Sequence, residues 1–149
     1  MNQRFTIDEF LTNRKIAIAG VSRDPKKFGN VLYCTLKNKG YEVYPVNPNV
    51  DTIDDCACYR HIKDLPTEVK DLLVVTAVKD TDNVVKEAID KGIKNIWIQN
   101  GSETESAIKL AKDHQINLVT SACILMYAEP KGFHKFHQVV AKMFGKYEG

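Results

Sequence analysis

A glycine-bounded, basic turn is the part of this chain best suited to chemistry. It spans residues 20–29, reads Gly-Val-Ser-Arg-Asp-Pro-Lys-Lys-Phe-Gly, and directly follows the apolar run 15–19. Backbone amides at the start of a helix bind phosphate, and a glycine permits the tight turn that presents them. Gly20 would make that turn, Ser22 and the following amides would donate to phosphate oxygens, and Gly29 would let the helix approach the strand. The pattern predicts a phosphate loop.

The loop departs from the usual dinucleotide fingerprint. Ser22 stands where the second glycine is expected, and the third glycine is delayed to Gly29. Arg23, Lys26 and Lys27 add positive charge, and an arginine can hold a phosphate with two parallel hydrogen bonds. One glycine-rich turn is a weak signal, so an alternative stays open. In that alternative the segment is a plain strand-to-helix loop whose lysines face water.

The end of the second apolar segment bears on whether the chain binds NAD or NADP. NAD sites usually place an Asp or Glu there to hold the ribose, and NADP sites place an arginine nearby. This segment instead ends with Val46, Asn47 and Pro48, and no arginine follows closely. Asn47 could bond an adenine or a ribose beside a stiff wall at Pro48, or Asn-Pro could simply form a turn. The end of this segment therefore argues against an NAD(P) enzyme.

Alternating strands and helices must position these residues. We predict strands at 15–19, 42–46, 71–76, 95–98 and 117–120. We predict helices at 29–38, 80–91, 102–114 and 132–144. Asp80 reads as the N-cap of the second helix, and Ser102-Glu-Thr-Glu105 reads as a capping box for the third. Residues 49–69 read as irregular, with one short turn near 61–64.

Helices between successive strands force parallel pairing with right-handed crossovers. The fold class is therefore α/β: a Rossmann-like, doubly wound, five-stranded parallel sheet in three α/β/α layers. Counting strands along the chain, we expect the order 3-2-1-4-5. Ligands of such sheets bind beyond the carboxyl ends of the strands. That rule predicts a site built from residues 20–29, 47–49, 76–79, 99–101 and 121–123.

Size and composition limit the remaining possibilities. A chain of 149 residues, 44% hydrophobic and 27% charged, fits one domain spanning 1–149. Its net charge of +2, with acids and bases interspersed, argues against a nucleic-acid partner. The chain has neither an apolar signal core at its start nor a run of about 18 apolar residues. We therefore expect no membrane span, a cytoplasmic location and free thiols.

Three segments together resemble a known family. They are residues 20–29, residues 40–48 (Gly-Tyr-Glu-Val-Tyr-Pro-Val-Asn-Pro) and residues 97–101 (Trp-Ile-Gln-Asn-Gly). Their order and spacing resemble the CoA-binding domain family, the Rossmann-like domain also found at the N-terminus of the succinyl-CoA synthetase α subunit. The chain looks like the stand-alone bacterial version, and the resemblance covers about residues 14–127.

The resemblance implies that the ADP part of coenzyme A lies at the carboxyl edge of the sheet. One set of residues would hold phosphates or border them: Gly20, Ser22, Arg23, Lys27, Phe28 and Gly29. A second set would border the adenosine: Val46, Asn47 and Pro48. A third would line the pantetheine path: Thr76, Ala77 and Val78. Gln99 and Gly101 would close the far side.

A few other reactive residues have two interpretations each. Cys56, Cys58 and His61 lack the usual zinc-site spacing. His134 and His137 would share one face of the last helix, either as metal ligands or as part of an amphipathic surface, which could also form a dimer contact. Cys123 follows the last strand near the site, where it could form a mixed disulfide with the thiol of coenzyme A or be a small buried residue. We expect no metal.

The sequence thus predicts a small protein that binds coenzyme A or an acyl-CoA without catalysis of its own, as a sensor, carrier or regulatory protein. Nucleophile-elbow, HExxH and Walker motifs do not occur, so we name no catalytic residue. The phosphorylated histidine of the synthetases belongs to a second domain, so ligation does not transfer. Two alternatives are a Rossmann enzyme using NAD(P) and an interaction module with a vestigial nucleotide site. A homodimer or an unidentified protein partner is possible.

Overall fold

The computed structural model describes residues 3–128. Four helices occur in that range: α1 (Gln3–Thr12), α2 (Phe28–Asn38), α3 (Val78–Lys91) and α4 (Glu105–Asp113). The strands are β1 (Lys15–Ala19), β2 (Glu42–Val46), β3 (Thr52–Ile53), β4 (Cys56–Ala57), β5 (Asp71–Val74), β6 (Asn95–Gln99) and β7 (Asn117–Ala122). The two-residue strands β3 and β4 form a small hairpin, and the others build a five-stranded parallel sheet.

Helices cover both faces of the sheet, so its strands are apolar on both sides. Ile16 and Ile18 of β1 pack in the cluster that includes α1 and α2. Ala17 and Ala19, which point the other way because strand side chains alternate, pack in the cluster that includes α3 and α4. The predicted three-layer α/β class is confirmed.

The predicted strand order is wrong. The sheet runs β2-β1-β5-β6-β7, which is 2-1-3-4-5 when only its own strands are counted. Pro45 of β2 gives the physical reason. Its carbonyl faces outward, where it accepts from the Tyr59 amide at 2.8 Å, and its ring removes the N–H on that same side. A proline is tolerated at an edge, so β5 pairs with β1 rather than outside β2.

The first helix was not predicted. Ile7, Phe10 and Leu11 of α1 are buried, with the i, i+3, i+4 spacing of a helix face. Phe10 meets the ring of Trp97 edge-on, with centroids 5.4 Å apart. The periodicity was present in the sequence, but it extends over only one short segment.

Two helices begin away from their predicted caps. Helix α3 begins at Val78 with Ala77 as N-cap, not at Asp80, because the preceding strand ends at Val74 and frees the chain to turn earlier. Helix α4 is capped by Thr104, whose hydroxyl accepts from the Ala107 amide at 3.0 Å. Ser102 is not that cap, because its hydroxyl instead donates to the Thr76 carbonyl at 2.8 Å.

Other predicted elements are placed as follows. The short turn is present at Ile62–Asp64, and Gly92 ends α3 in the left-handed conformation, with φ of 95°. The predicted helix at 132–144, with His134 and His137, lies outside the described residues. Within residues 3–128, no helix is both long enough and apolar enough to span a bilayer.

Candidate functional site

A cleft of about 560 Å³ opens at the carboxyl ends of β1, β2 and β5, beside α3. The chain leaves β1 for β2 on one side and returns to β5 on the other, so this is where the strand order reverses. The cleft is lined by Ala19, Gly20, Val46, Asn47, Pro48, Asn49, Arg60, His61, Ile62, Val75, Thr76, Ala77, Lys79, Asp80, Asn83, Val84 and Glu87.

The predicted residues divide between this cleft and the neighbouring loop. The cleft gathers Gly20, Val46, Asn47, Pro48, Thr76 and Ala77. The remainder lie outside its lining: Ser22, Arg23, Lys27, Phe28, Gly29, Val78, Gln99 and Gly101. Of these, Phe28 and Val78 are about half exposed, at 50% and 53%, and they begin α2 and α3 respectively.

Two glycines allow the tight contact at the start of the loop. Gly20 has φ of 105°, and a Cβ there would lie 2.8 Å from the Val75 carbonyl carbon. A Cβ on Gly29 would lie only 2.3 Å from the Gly20 carbonyl oxygen. The first turn of α2 therefore rests directly on the end of β1, which confirms the close helix–strand approach expected at Gly29.

Side-chain amides hold the loop carbonyls in place. Asn30 Nδ2 donates to the Ser22 carbonyl at 2.7 Å, and Asn47 Nδ2 donates to the Val21 carbonyl at 2.8 Å. The Ser22 hydroxyl accepts from the Asp24 amide at 3.0 Å. Because carbonyl oxygens repel anions, tying them back favours an anion over the loop.

Positive charge and helix amides face the same region. Arg23, Lys26 and Lys27 are exposed, and the first amides of α2, at Phe28 and Gly29, have no partner inside the helix, as at any helix N-terminus. Lys27 is the N-cap and makes no side-chain cap bond. The loop can therefore offer backbone donors and cations to a phosphate.

Asn47 has a positioning contact at each end of its side chain. Besides holding Val21, it accepts from the Asn49 amide at 2.8 Å through Oδ1. The next carbonyl, that of Pro48, accepts from Arg60 Nη1 at 3.1 Å. Asn47 thus joins the loop after β1 to the loop after β2, a role that its sequence position alone did not reveal.

A network of hydrogen bonds lies on the other side of the cleft. The hydroxyls of Thr76 and Thr81 lie 2.8 Å apart, and Thr81 also donates to the Ser102 carbonyl at 2.8 Å. Ser102 in turn holds the Thr76 carbonyl. These bonds fix the loops after β5 and β6 against α3, so they hold the cleft wall in place at Thr76.

Sequence reasoning missed the titratable residues of the cleft other than Lys79, which lies in the predicted segment 76–79. Arg60 and His61 come from the long irregular segment, and Lys79, Asp80 and Glu87 come from α3. Arg60 is held against Asp51, with Nη2 and Oδ1 2.7 Å apart. Only the packing of residues 58–60 along the edge of β2 brings Arg60 to the cleft, and no motif signals that placement.

Gln99 occupies an interior position. It is 2% exposed, and its Oε1 accepts from the Ile124 amide at 3.1 Å. Its Nε2 donates to Cys123 Sγ at 2.9 Å. The amide of Gly101 donates to the Glu103 carboxylate at 2.8 Å. Gln99 thus positions the turn that follows β7.

Cys56, Cys58 and His61 do not face one common site. Burial raises the pKa of the Cys58 thiol. Cys56 lines a different cavity, and His61 lines the cleft. Across residues 3–128, no three His, Cys, Asp or Glu side chains come together as metal ligands would.

Comparisons with known proteins point to one family. A family model described as a CoA binding domain matches residues 14–129. The chain is 27% identical over 129 residues to the alpha subunit of acetate–CoA ligase (ADP-forming) II from Pyrococcus furiosus. The match covers 79% of this chain and 28% of the ligase subunit, so the chain spans less than a third of that relative.

Two solved structures share the fold along most of the chain. A conserved hypothetical protein from Pyrococcus furiosus has a TM-score of 0.73 and 38% identity, over 75% of this chain and 97% of that one. A hypothetical protein from Pyrococcus horikoshii OT3 has a TM-score of 0.77 and 29% identity, over 92% of this chain and 91% of that one.

Proposed function

The chain belongs to the CoA-binding domain family, and from that premise we propose that it binds coenzyme A or an acyl-CoA across the carboxyl edge of its sheet. The observation that carries the proposal is the cleft at the strand reversal, continuous at Gly20 with a loop whose carbonyls are tied back. The proposed role is binding without catalysis, as a sensor, carrier or regulatory protein.

The pyrophosphate is assigned to the loop. Backbone amides after Gly20 and at the start of α2 would donate to it, and Arg23 and Lys27 would neutralise it. Asp24 lies in the same loop, but its carboxylate accepts from the Lys26 amide at 2.9 Å and so serves the turn. Support comes from the Gly20–Gly29 contact, which fixes the helix start at the strand tip.

The adenosine is assigned to the cleft between β2 and α3. Val46 and Pro48 supply the apolar wall, and Arg60 and Lys79 supply two further cations for the 3′-phosphate. Arg60 already has a carboxylate partner in Asp51, so a phosphate there would share the guanidinium. Pantetheine would leave the cleft past Thr76, Ala77 and the exposed Val78.

An NAD(P) enzyme is the runner-up, and the end of β2 disfavours it. The position of the usual ribose-binding acid is Asn47, whose side chain is bonded to Val21 and Asn49. The name of the ligase relative includes a CoA-dependent activity, but the chain spans only 28% of that subunit. Ligation is therefore not carried over to this chain.

The test is a calorimetric panel of coenzyme A, acetyl-CoA, 3′-dephospho-CoA, NAD, NADP and ADP. We expect micromolar binding of coenzyme A, weaker binding of 3′-dephospho-CoA because Arg60 and Lys79 lose their phosphate, and little binding of NAD. Micromolar NAD binding without coenzyme A binding would reject the proposal. Failure to bind any of these nucleotides would instead favour the vestigial site.

Charge variants locate the phosphates. Arg23→Ala and Lys27→Ala should each weaken coenzyme A binding by about 1–3 kcal/mol, the range for a charge-assisted hydrogen bond. Lys112→Ala is the matched control, because it removes the same charge from the last turn of α4. Unchanged affinity in both loop variants would remove the loop from the site.

A further inference from the structure

A second cavity of about 400 Å³ lies along the outer side of β2. Residues of α2, β2 and β4 form its walls, and it is distinct from the nucleotide cleft. We call it the tyrosine groove. It is lined by Tyr33, Lys37, Tyr41, Glu42, Val43, Tyr44, Pro45, Cys56, Ala57 and Tyr59.

One thiol opens into the tyrosine groove. Cys56 is partly exposed, and the Nζ of Lys37 lies 3.1 Å from its sulfur. The hydroxyl of Tyr33 is its second hydrogen-bond partner, held by a ring that is 1% exposed. Lys37 also lies over that ring, 5.6 Å from its centre. A cation and a hydroxyl donor therefore meet at the same sulfur.

This environment stabilises a thiolate. The hydrogen bonds from Lys37 and then Tyr33 lower the pKa of Cys56, against the smaller opposing effects of burial and of Asp54. Burial and the bond to Cys56 raise the pKa of Tyr33 to about 12, so its hydroxyl keeps the proton it donates. Thiolates, not thiols, are the nucleophiles of cysteine chemistry.

The other cysteines lack this arrangement. Burial raises the pKa of Cys58. Cys34 donates to Asn30 Oδ1 at 3.5 Å, and Cys123 is bonded to the amide of Gln99. Among the four thiols, Cys56 alone has a charged donor on its sulfur, and all four lie in the described part of the chain.

We propose that Cys56 is a site of thiol–disulfide exchange with low-molecular-weight disulfides, and that the tyrosine groove holds the thiol that becomes attached. The Cys56 thiolate attacks one sulfur of the disulfide, so a new S–S bond forms as the original one breaks. The released half leaves as a thiolate and takes a proton from water. Cys56 is oxidised, the released sulfur is reduced, and the disulfide is the sole oxidant. Lys37 and Tyr33 are not consumed.

The test uses the reduced full-length protein and oxidised glutathione at pH 7, with the modified cysteine identified by peptide mass spectrometry. We expect the mixed disulfide on Cys56 at least about fivefold faster than on the other three thiols, given the dependence on thiolate fraction. First modification at Cys34, Cys58 or Cys123 would overturn the proposal. This arm needs no variant, so loss of folding in a mutant cannot obscure it.

A pH profile then separates an activated thiol from a merely structural contact. The rate with 4,4′-dithiodipyridine should reach half its maximum at a pH below the ordinary thiol value of about 8.5. Lys37→Met should raise that midpoint and slow the reaction at pH 7 by about fivefold, whereas Lys37→Arg should keep it low. Equal midpoints in the wild type and Lys37→Met would mean that the contact between Lys37 and Cys56 only holds the β3–β4 hairpin in place. That result would reject the proposed activation of Cys56.

Discussion

The two ends of the sheet use polar side chains in opposite ways. At the amino end, Asn95 Nδ2 donates to Asp71 Oδ1 at 2.7 Å, Asn13 donates to the same carboxylate, and Asn117 Nδ2 donates to Asn95 at 2.8 Å. These side chains satisfy one another. At the carboxyl end, Asn47 and its neighbours bond backbone carbonyls instead.

The difference decides which end can bind a ligand. Polar groups that bond only each other close the amino end and leave Asp71 fully buried. Side chains that hold the carbonyls of Val21, Ser22 and Thr76 fix the carboxyl-end loops in place and leave amides and cations facing solvent. The same residue types therefore build structure at one end and a candidate site at the other.

The largest expected effect breaks the carboxyl end. Gly29→Ala places a Cβ 2.3 Å from the Gly20 carbonyl, so the helix start must move. We expect a loss of about 3 kcal/mol in the free energy of unfolding, by overpacking, and weaker coenzyme A binding. Urea denaturation measures the first and calorimetry the second.

The matched control is Gly101→Ala, which has open space around its Cβ but φ of 100°. It should cost about 1–2 kcal/mol through backbone strain alone. If Gly29→Ala costs no more than this control, the helix is not fixed by that contact.

The next effect tests the amino end. Burial raises the pKa of Asp71 from 3.8 to about 6, so the folded state binds its proton more readily than the unfolded chain. The stabilising contribution is complete below pH 4 and is lost as pH rises through about 6. Relative to the wild type, Asp71→Asn should gain about 2–3 kcal/mol between pH 4 and pH 7, since one pKa unit is worth about 1.4 kcal/mol.

Urea denaturation at several pH values gives this difference, and any constant offset from the altered hydrogen bonds drops out. Asp90→Asn, which removes an exposed carboxylate, is the control for loss of charge. A difference between wild type and Asp71→Asn that does not vary with pH would contradict the closed, buried network.

The smallest effect sharpens the account of the carboxyl end. Thr104→Ala removes the cap bond to the Ala107 amide and should cost about 1 kcal/mol, whereas Thr104→Ser should keep most of it. Thermal unfolding of the three proteins measures both. If Thr104→Ala leaves thermal unfolding unchanged, Thr104 does not act as the cap of α4.

Local sequence patterns were enough to predict the fold class, but not the bounds of every helix and strand. Apolar runs separated by helical periods predicted a parallel α/β sheet, and five strands lie close to the predicted positions. Pro45 held the information that β2 is an edge strand, and overlooking it led to the wrong strand order. Asp80 and Ser102 are good capping residues, but each lies beside a competing helix start.

The candidate site was predictable where it follows strand ends. Gly20, Asn47 and Thr76 meet at one cleft because the carboxyl ends of parallel strands share one edge. Arg60 and His61 were not predictable, because they lie in an irregular segment whose path depends on the hydrogen bonds between Tyr59 and the edge of β2.

Local sequence was enough to establish the alternation of strands and helices and the tight first turn at its glycines, because these depend on local periodicity and on backbone freedom. The strand order, the closure of the amino end and the place of Arg60 in the cleft follow only from the folded chain, because they depend on which distant segments pack together. The same holds for Cys56, which is an ordinary cysteine in the sequence. It becomes a distinctive thiol only where α2 brings Lys37 and Tyr33 to it.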